Sequence, residues 1–114
     1  MRYYPVYLDM RGRNALVIGG GAVGSRKAKT LLRAGARVTV VSPRATESIR
    51  ALAAEGHLTW HQRPYRSSDL EAMFLVFGAT DDPDLNRRIQ TDAEQGHVLC
   101  NFADQPDQGH FILP

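Results

Sequence analysis

The chain has 114 residues, of which 43% are hydrophobic and 23% are charged. This length suffices for one packed core but falls short of two ordinary domains, so we expect a single domain over residues 1–114. The 14 basic and 12 acidic residues give a formal net charge of +2, a balance that does not favour nucleic acid as a partner. A single cysteine, Cys100, excludes an intrachain disulfide and a cysteine-rich zinc site.

The apolar segments of the sequence are short. None approaches the roughly 20 residues that a membrane-spanning helix needs, and the N-terminal residues Met1-Arg2-Tyr3-Tyr4 lack the apolar core of a signal peptide. We therefore expect a soluble, cytoplasmic protein with no membrane partner. The four histidines show no spacing typical of metal ligands, so no metal site is predicted. His110 is nevertheless close enough to Asp104 in sequence to reach the same pocket.

The first part of the chain has the pattern of a strand, a tight loop, a helix and a second strand. Apolar residues 15–18 predict a strand that ends in three glycines, and apolar positions at helical spacing predict a helix over 23–34. Gly35 predicts the helix stop, and the β-branched run 38–41 predicts a second buried strand. This is a βαβ unit. The basic residues of the helix are expected to form a solvated face; they are Arg26, Lys27, Lys29 and Arg33.

Strands and helices continue to alternate in the rest of the chain. Asp82 and Pro83 predict the N-terminus of a helix that Gly96 ends, with Asp84 placed to pair with Arg88. The remaining predicted elements are a helix over 46–55, an exposed strand over 58–61, a helical turn after Ser67 and Ser68, and strands over 74–77, 98–101 and 111–113.

This alternation predicts the architecture. It implies a parallel sheet with right-handed crossovers and helices on both faces, which is an α/β fold with a Rossmann-type doubly wound parallel sheet in a single three-layer domain. In such sheets, ligands bind beyond the carboxyl ends of the strands, where the strand order reverses. The candidate functional loops are therefore residues 19–24, 42–44, 79–82 and 101–104.

Residues 19–24, which we call the glycine loop, predict a dinucleotide-binding site. In this motif the first glycine, Gly19, permits the tight turn, Gly21 lets the backbone approach a pyrophosphate, and Gly24 allows close helix packing. The N-terminus of the helix that follows would point free amides and its positive dipole end at the anion. Because the motif lies between a strand and a helix of a βαβ unit, we predict that it binds a dinucleotide.

The choice of dinucleotide is less clear from the residues themselves. An acid that binds the adenosine ribose is expected at the end of the second strand, but the sequence there is Ser42-Pro43-Arg44. Ser42 could bind the ribose. Arg44 could stack on adenine, accept the 2′-phosphate of NADP or lie free on the surface. These residues leave NAD and NADP open.

Two further loops carry polar residues that could face the ligand. Thr80 and Asp81 follow a central strand and are expected to border the nicotinamide and its ribose, whereas Asp82 is expected to cap a helix. Asp104 follows the fifth strand, where a carboxylate could act as a general acid or base. Its other interpretation is a turn former.

Several segments together match a known family. They are Tyr4-Pro5-Val6-Tyr7-Leu8, residues 17–24 with Arg26-Lys27-Ala28, Ala79-Thr80-Asp81-Asp82, Cys100-Asn101-Phe102-Ala103-Asp104 and Phe111-Ile112-Leu113-Pro114. In these segments the chain resembles the N-terminal domain of siroheme synthase, in the precorrin-2 dehydrogenase and sirohydrochlorin ferrochelatase family. The resemblance covers essentially the whole chain.

The resemblance implies a reaction and a cofactor. It implies NAD-dependent oxidation of precorrin-2 to sirohydrochlorin, with Asp104 as the general base of one or both family reactions. The missing acid at the second strand is a family trait, which favours NAD. The residues at positions where family members contact NAD are Ala22, Val23, Pro43 and Arg44.

The resemblance also implies features of longer family members. Many of them insert ferrous iron, as a substrate, into sirohydrochlorin, and they dimerise through a helical segment that is expected to be absent from this chain. Two other functions fit the fold: a nucleotide-sensing regulatory domain and an NADP-dependent reductase of another small molecule. A regulatory domain has no need for Asp104, so the loop 101–104 favours the enzyme.

Overall fold

The computed structural model describes residues 1–113, and Pro114 of the predicted family match lies outside them. Five parallel strands form one sheet in the order β3-β2-β1-β4-β5. The strands are β1 (Asn14–Gly20), β2 (Arg37–Ala45), β3 (Thr59–His61), β4 (Leu75–Gly78) and β5 (Leu99–Phe102). The helices are α1 (Ala22–Arg33), α2 (Glu47–Ala54) and α3 (Pro83–Gly96), with short 3-10 helices at Ser67–Leu70 and Pro106–Gln108. The predicted α/β architecture is confirmed.

The core lies on both faces of the sheet. Successive residues of β1 alternate between two apolar clusters, because side chains alternate across a strand. Ala15 and Val17 belong to the cluster that includes residues of α1 and α2, whereas Leu16 and Ile18 belong to the one that includes residues of α3. The sheet is therefore covered on both sides, which is why β1 has a continuous apolar run. This confirms the three-layer prediction.

The second strand is longer than predicted. Residues 42–44 were expected in a loop, but they continue β2 as far as Ala45, which pairs with Gly20 of β1. The pairing shifts register between Ile18 and Gly20. The reason is that the backbone of the glycine loop stays close enough to β2 to keep pairing with it, an effect that a composition rich in Ser, Pro and Arg does not reveal.

The predicted end of α3 is confirmed: Gly96 is its last residue, and His97 then adopts the left-handed conformation with φ of 56°. Two other local predictions were wrong. Asp84 forms its ion pair with Arg87 and not with Arg88, whose guanidinium lies 5.0 Å from the centre of the Tyr65 ring. Residues 111–113 form no strand, because Phe111 instead packs its ring against Phe77 and its carbonyl accepts a bond from the Asn101 side chain.

No helix within residues 1–113 combines the length and the apolar character that crossing a membrane requires.

Candidate functional site

The loop between β1 and α1 is shaped by two glycines. Gly19 has a φ of +117°, and a Cβ atom there would lie 2.3 Å from the carbonyl oxygen of Ala79. A Cβ atom at Gly24 would lie 1.9 Å from the carbonyl oxygen of Gly19. No other residue fits at either position. The predicted roles of Gly19 in the turn and of Gly24 in close helix packing are confirmed.

Gly21 has the opposite surroundings. It is exposed, and a Cβ atom there would meet nothing within 4 Å. It is the N-cap of α1 and offers no side chain to the free amides of the first turn, while the first bond of the helix runs from Ser25 N–H to the Gly21 carbonyl at 2.9 Å. The amides of Ala22 and Val23, in the first turn, have no acceptor within the helix. This arrangement fits a phosphate group, which needs N–H donors and close backbone approach.

The end of β2 lies directly beside this loop. A Cβ atom at Gly20 would lie 2.2 Å from the carbonyl oxygen of Arg44, so the two backbones are in contact. Pro43 and Arg44 are exposed beside the loop. Ser42 is buried, and its hydroxyl donates to the Arg44 carbonyl at 2.5 Å, which leaves only its oxygen lone pairs for a ligand. Its own carbonyl accepts a bond from the Trp60 indole at 3.0 Å.

The end of β4 borders the loop on the other side. The Ala79 N–H donates to the Ile18 carbonyl at 2.8 Å, which brings the segment carrying Thr80 and Asp81 next to Gly19. Thr80 is half-buried, and its hydroxyl accepts a bond from the Asp82 N–H at 3.0 Å. Asp81 is exposed.

Asp82 caps α3, as predicted. Its carboxylate accepts bonds from the N–H groups of Asp84 at 3.0 Å and Leu85 at 3.3 Å, and Pro83 occupies the first turn. The predicted helix start is confirmed.

Asn86 is a buried polar residue at this site that sequence reasoning missed. Its side-chain nitrogen donates to the Thr80 carbonyl at 3.1 Å, so the buried Asn86 side chain ties the loop after β4 to α3. Its side-chain oxygen has no partner among residues 1–113 and lies near Gly78. The available signal was an Asn that follows the N-cap by one helical turn on an otherwise apolar face.

Asp104 lies in a loop that we call the Asp104 loop, residues 103–111. The Ala103 N–H donates to the Gly78 carbonyl at 3.1 Å, so the loop leaves β5 beside the end of β4. Asp104 is exposed, and within residues 1–113 no hydrogen bond to its carboxylate is present. The 3-10 helix that follows begins at Pro106, and its N-cap, Gln105, makes no side-chain capping bond. The carboxylate is therefore not used to build the turn.

The histidines do not assemble into a metal site. His57 pairs with Glu55 at 3.4 Å, and His110 contacts Glu94 and the backbone of Cys100, not Asp104. Across residues 1–113 no cluster of three or more His, Cys, Asp or Glu side chains is arranged to hold a metal ion.

The chain matches a known family over nearly its whole length. Residues 6–114 match the family whose description is "Putative NAD(P)-binding". The chain belongs to this family. The glycine loop that the fold places at the strand reversal between β1 and β4 is thus in a domain of an NAD(P)-binding family.

Curated relatives and a solved structure show a narrower similarity. The chain is 44% identical over its full length to siroheme synthase of Pseudoalteromonas atlantica and 40% identical to that of Escherichia coli, and it spans 25% of each. The structure of SirC, a precorrin-2 dehydrogenase, matches 98% of the chain at 33% identity with a TM-score of 0.87, and the chain spans 55% of it. The chain thus corresponds to about a quarter of the length of the curated relatives, and the resemblance to siroheme synthase is confirmed.

Proposed function

We propose that this chain is the cofactor-binding and proton-accepting domain of an NAD-dependent precorrin-2 dehydrogenase. The reaction removes one hydride and one proton from precorrin-2 and yields sirohydrochlorin. The observation that carries the proposal is the match to SirC, which extends over 98% of the chain. The curated relatives named siroheme synthase support the same assignment.

The glycine loop suits the diphosphate of NAD. Gly21 leaves room for the phosphates, and the first amides of α1 at Ala22 and Val23 would donate to them. Gly19 and Gly24 keep the strand and the helix close enough to form this cradle. When bound, NAD supplies the nicotinamide ring that accepts the hydride.

Three residues at the end of β2 would hold the adenosine. Pro43 and Arg44 are exposed beside the loop, where Arg44 would stack on the adenine, and the Ser42 oxygen would accept a bond from the ribose. Thr80 and Asp81 would border the nicotinamide end, because they follow the strand on the other side of β1. We propose NAD over NADP, since family resemblance accounts for the missing ribose-binding acid.

Asp104 would accept the proton that leaves precorrin-2. It is exposed at the carboxyl edge of the sheet, on the side of β4 where the nicotinamide would lie. A general base must have a free lone pair directed at the substrate, and no hydrogen bond within residues 1–113 occupies this carboxylate.

A protein with the full length of these relatives would have further properties. Siroheme contains iron and sirohydrochlorin does not, so a siroheme synthase needs a metal-insertion step, in which ferrous iron is a substrate. We extend the proposal to that step, to a homodimer and to a cytoplasmic location for the full-length gene product only.

The test is to incubate the full-length gene product with precorrin-2 and either NAD or NADP. When NAD is supplied, we expect the absorbance of sirohydrochlorin and that of NADH to rise together. The rate with NAD should be at least tenfold higher than the rate with NADP. Binding of NAD without turnover would instead support a regulatory domain, and a preference for NADP would assign Arg44 to the 2′-phosphate.

A further inference from the structure

The outer edge of β5 is closed by a single residue of the Asp104 loop. Because β5 is the last strand of the sheet, the backbone groups that point away from β4 have no strand partner. At Cys100 both groups are nevertheless paired. The His110 N–H donates to the Cys100 carbonyl at 2.8 Å, and the Cys100 N–H donates to Nδ1 of the His110 ring at 3.2 Å.

These bonds assign the tautomer of the His110 ring. Since Nδ1 accepts a hydrogen bond from a backbone N–H, the ring proton lies on Nε2. Nε2 faces the carboxylate of Glu94 on α3 and donates to it. Both ring nitrogens are therefore used, and the ring joins β5 to α3.

Other contacts reach the same end of the Asp104 loop. A Cβ atom at Gly109 would lie 2.5 Å from the Cys100 carbonyl oxygen, so only glycine lets the backbone come this close. The Gln90 side chain donates to the Gln108 carbonyl at 2.8 Å, and the Asn101 side chain donates to the Phe111 carbonyl at 3.0 Å. These contacts hold one end of the loop and the Ala103 N–H bond to Gly78 holds the other, while the Asp104 side chain between them is exposed.

We propose that His110 is a positioning residue, which fixes the Asp104 loop on the edge of β5 so that the carboxylate is held at the reaction centre. This inference rests on the proposed function of Asp104. His110 acts on Asp104 through the backbone and touches neither substrate nor cofactor. Its loss therefore reduces the rate of dehydrogenation without weakening NAD binding, because the glycine loop lies between other strands.

Three variants of the full-length gene product separate the two ring contacts. In His110→Asn, the side-chain oxygen takes the place of Nδ1 and can still accept from Cys100. In His110→Gln, the amide takes the place of Nε2 and keeps only the contact to Glu94. In His110→Ala, both contacts are lost. We expect kcat to fall about 3- to 10-fold in the Ala and Gln variants, on the scale of one hydrogen bond, and to stay within about twofold of the parent in the Asn variant.

The control is His57→Ala, because His57 also pairs with a glutamate but lies between α2 and β3. It should leave kcat unchanged, and all four variants should keep the parental Kd for NAD. Parental kcat in His110→Ala overturns the proposal.

Two measurements do not depend on activity. A long-range ¹H–¹⁵N spectrum of the parent should show an unprotonated Nδ1 at His110, and exchange of the Cys100 amide should accelerate in the Ala and Gln variants only. A protonated Nδ1 or unchanged exchange overturns the placement of the ring. If the parent forms no sirohydrochlorin, the proposed function fails, and with it the effect of His110 on the reaction. These two measurements still decide whether His110 holds the loop.

Discussion

Gly21 and Gly24 belong to one motif but have different physical roles. Gly24 lies so close to the backbone of Gly19 that any side chain would force the helix away from the strand. Gly21 touches nothing, and its extended backbone, with φ of −81°, accepts any residue. Gly24 is therefore needed for folding, whereas packing places no demand on Gly21, which leaves it available for the phosphate-binding role proposed for it.

Replacing Gly21 by Val should abolish NAD binding and leave the stability of the fold nearly unchanged, because the new side chain would occupy the place of the pyrophosphate. Calorimetric titration with NAD and urea denaturation measure the two effects. Gly96→Val is the control, since Gly96 lies at the far end of α3 and has ordinary space around it. Gly24→Ala should instead lower the urea midpoint. A folded Gly21→Val protein that binds NAD like the parent would show that the glycine loop is not the phosphate site.

Replacing Asp104 by Asn should slow dehydrogenation by about 10²- to 10⁴-fold, the contribution of a positioned general base, because the amide has nearly the same shape but cannot accept the proton. NAD binding should be retained. The measurement is sirohydrochlorin formation by the full-length gene product, with Asp107→Asn as the control in the same loop. Iron insertion into supplied sirohydrochlorin, measured separately, tells whether one carboxylate serves both steps. Normal dehydrogenation by Asp104→Asn would refute its role.

The roles of some single residues at the site can be predicted from the sequence, and those of others cannot. The glycines are predictable because their spacing follows directly from the turn and the helix start. Asn86 is not, because its role depends on the Thr80 carbonyl, which lies near it only when α3 packs beside the end of β4. The roles of Ser42, Arg44, Thr80, Asp81 and Asp104 toward a ligand remain predictions.

At the scale of elements, the starts of helices follow local chemistry closely. α3 begins where Asp82 and Pro83 predict it, because the cap involves only adjacent residues. The ends of strands depend on neighbouring strands. β2 therefore extends past Ser42 by pairing with β1, and residues 111–113 form no strand because the Asp104 loop closes the edge that they would need. The parallel sheet with helices on both faces was predictable from the alternation of elements.

Replacing Asp82 by Ala should lower the free energy of unfolding by about 1 kcal/mol, the usual contribution of an N-cap, because two amides of α3 lose their acceptor. Asp81→Ala is the matched control, because Asp81 is the adjacent exposed aspartate and caps no helix. Urea denaturation should show a lower midpoint for Asp82→Ala and the parental midpoint for Asp81→Ala. Equal midpoints in the two variants would contradict the capping role.

At the scale of the whole molecule, the segment between β3 and β4 crosses from one half of the sheet to the other. It is fastened by Arg63, which makes two bonds to Asp69 at 2.7 and 2.9 Å, and by Tyr65, whose hydroxyl donates to Asp92 of α3 at 2.7 Å. Only 7% of the Asp69 side chain is exposed. Burial alone would raise the pKa of Asp69, but the bonds from Arg63 and the Arg66 N–H outweigh it and hold the pKa below its ordinary value of 3.8.

The lowered pKa of Asp69 makes the folded protein less stable as the pH falls. The ionised Asp69 contributes fully above the pKa of the unfolded chain, near 3.8, and the contribution is lost as the pH falls through the lower folded value. Asp69→Asn should therefore reduce the urea midpoint at pH 7, and its difference from the parent should shrink below about pH 4. The control is Asp9→Asn, because the Asp9–Arg11 pair is 63% and 83% exposed and contributes little. A difference that does not change with pH would exclude the ion pair as its cause.

The lone thiol of Cys100 gives the protein a chemical reporter of its own opening. Burial raises the pKa of the Cys100 thiol, so little thiolate forms in the native state. Alkylating reagents therefore react with it only slowly, and the buried sulfur is also inaccessible to them. Labelling must then wait until β5 separates from its neighbours. Because His110 holds both outward backbone groups of this same residue, the labelling rate measures how often the Asp104 loop and the sheet edge part. Mass spectra recorded over time during labelling of the parent protein would thus give the opening kinetics of the region that carries Asp104.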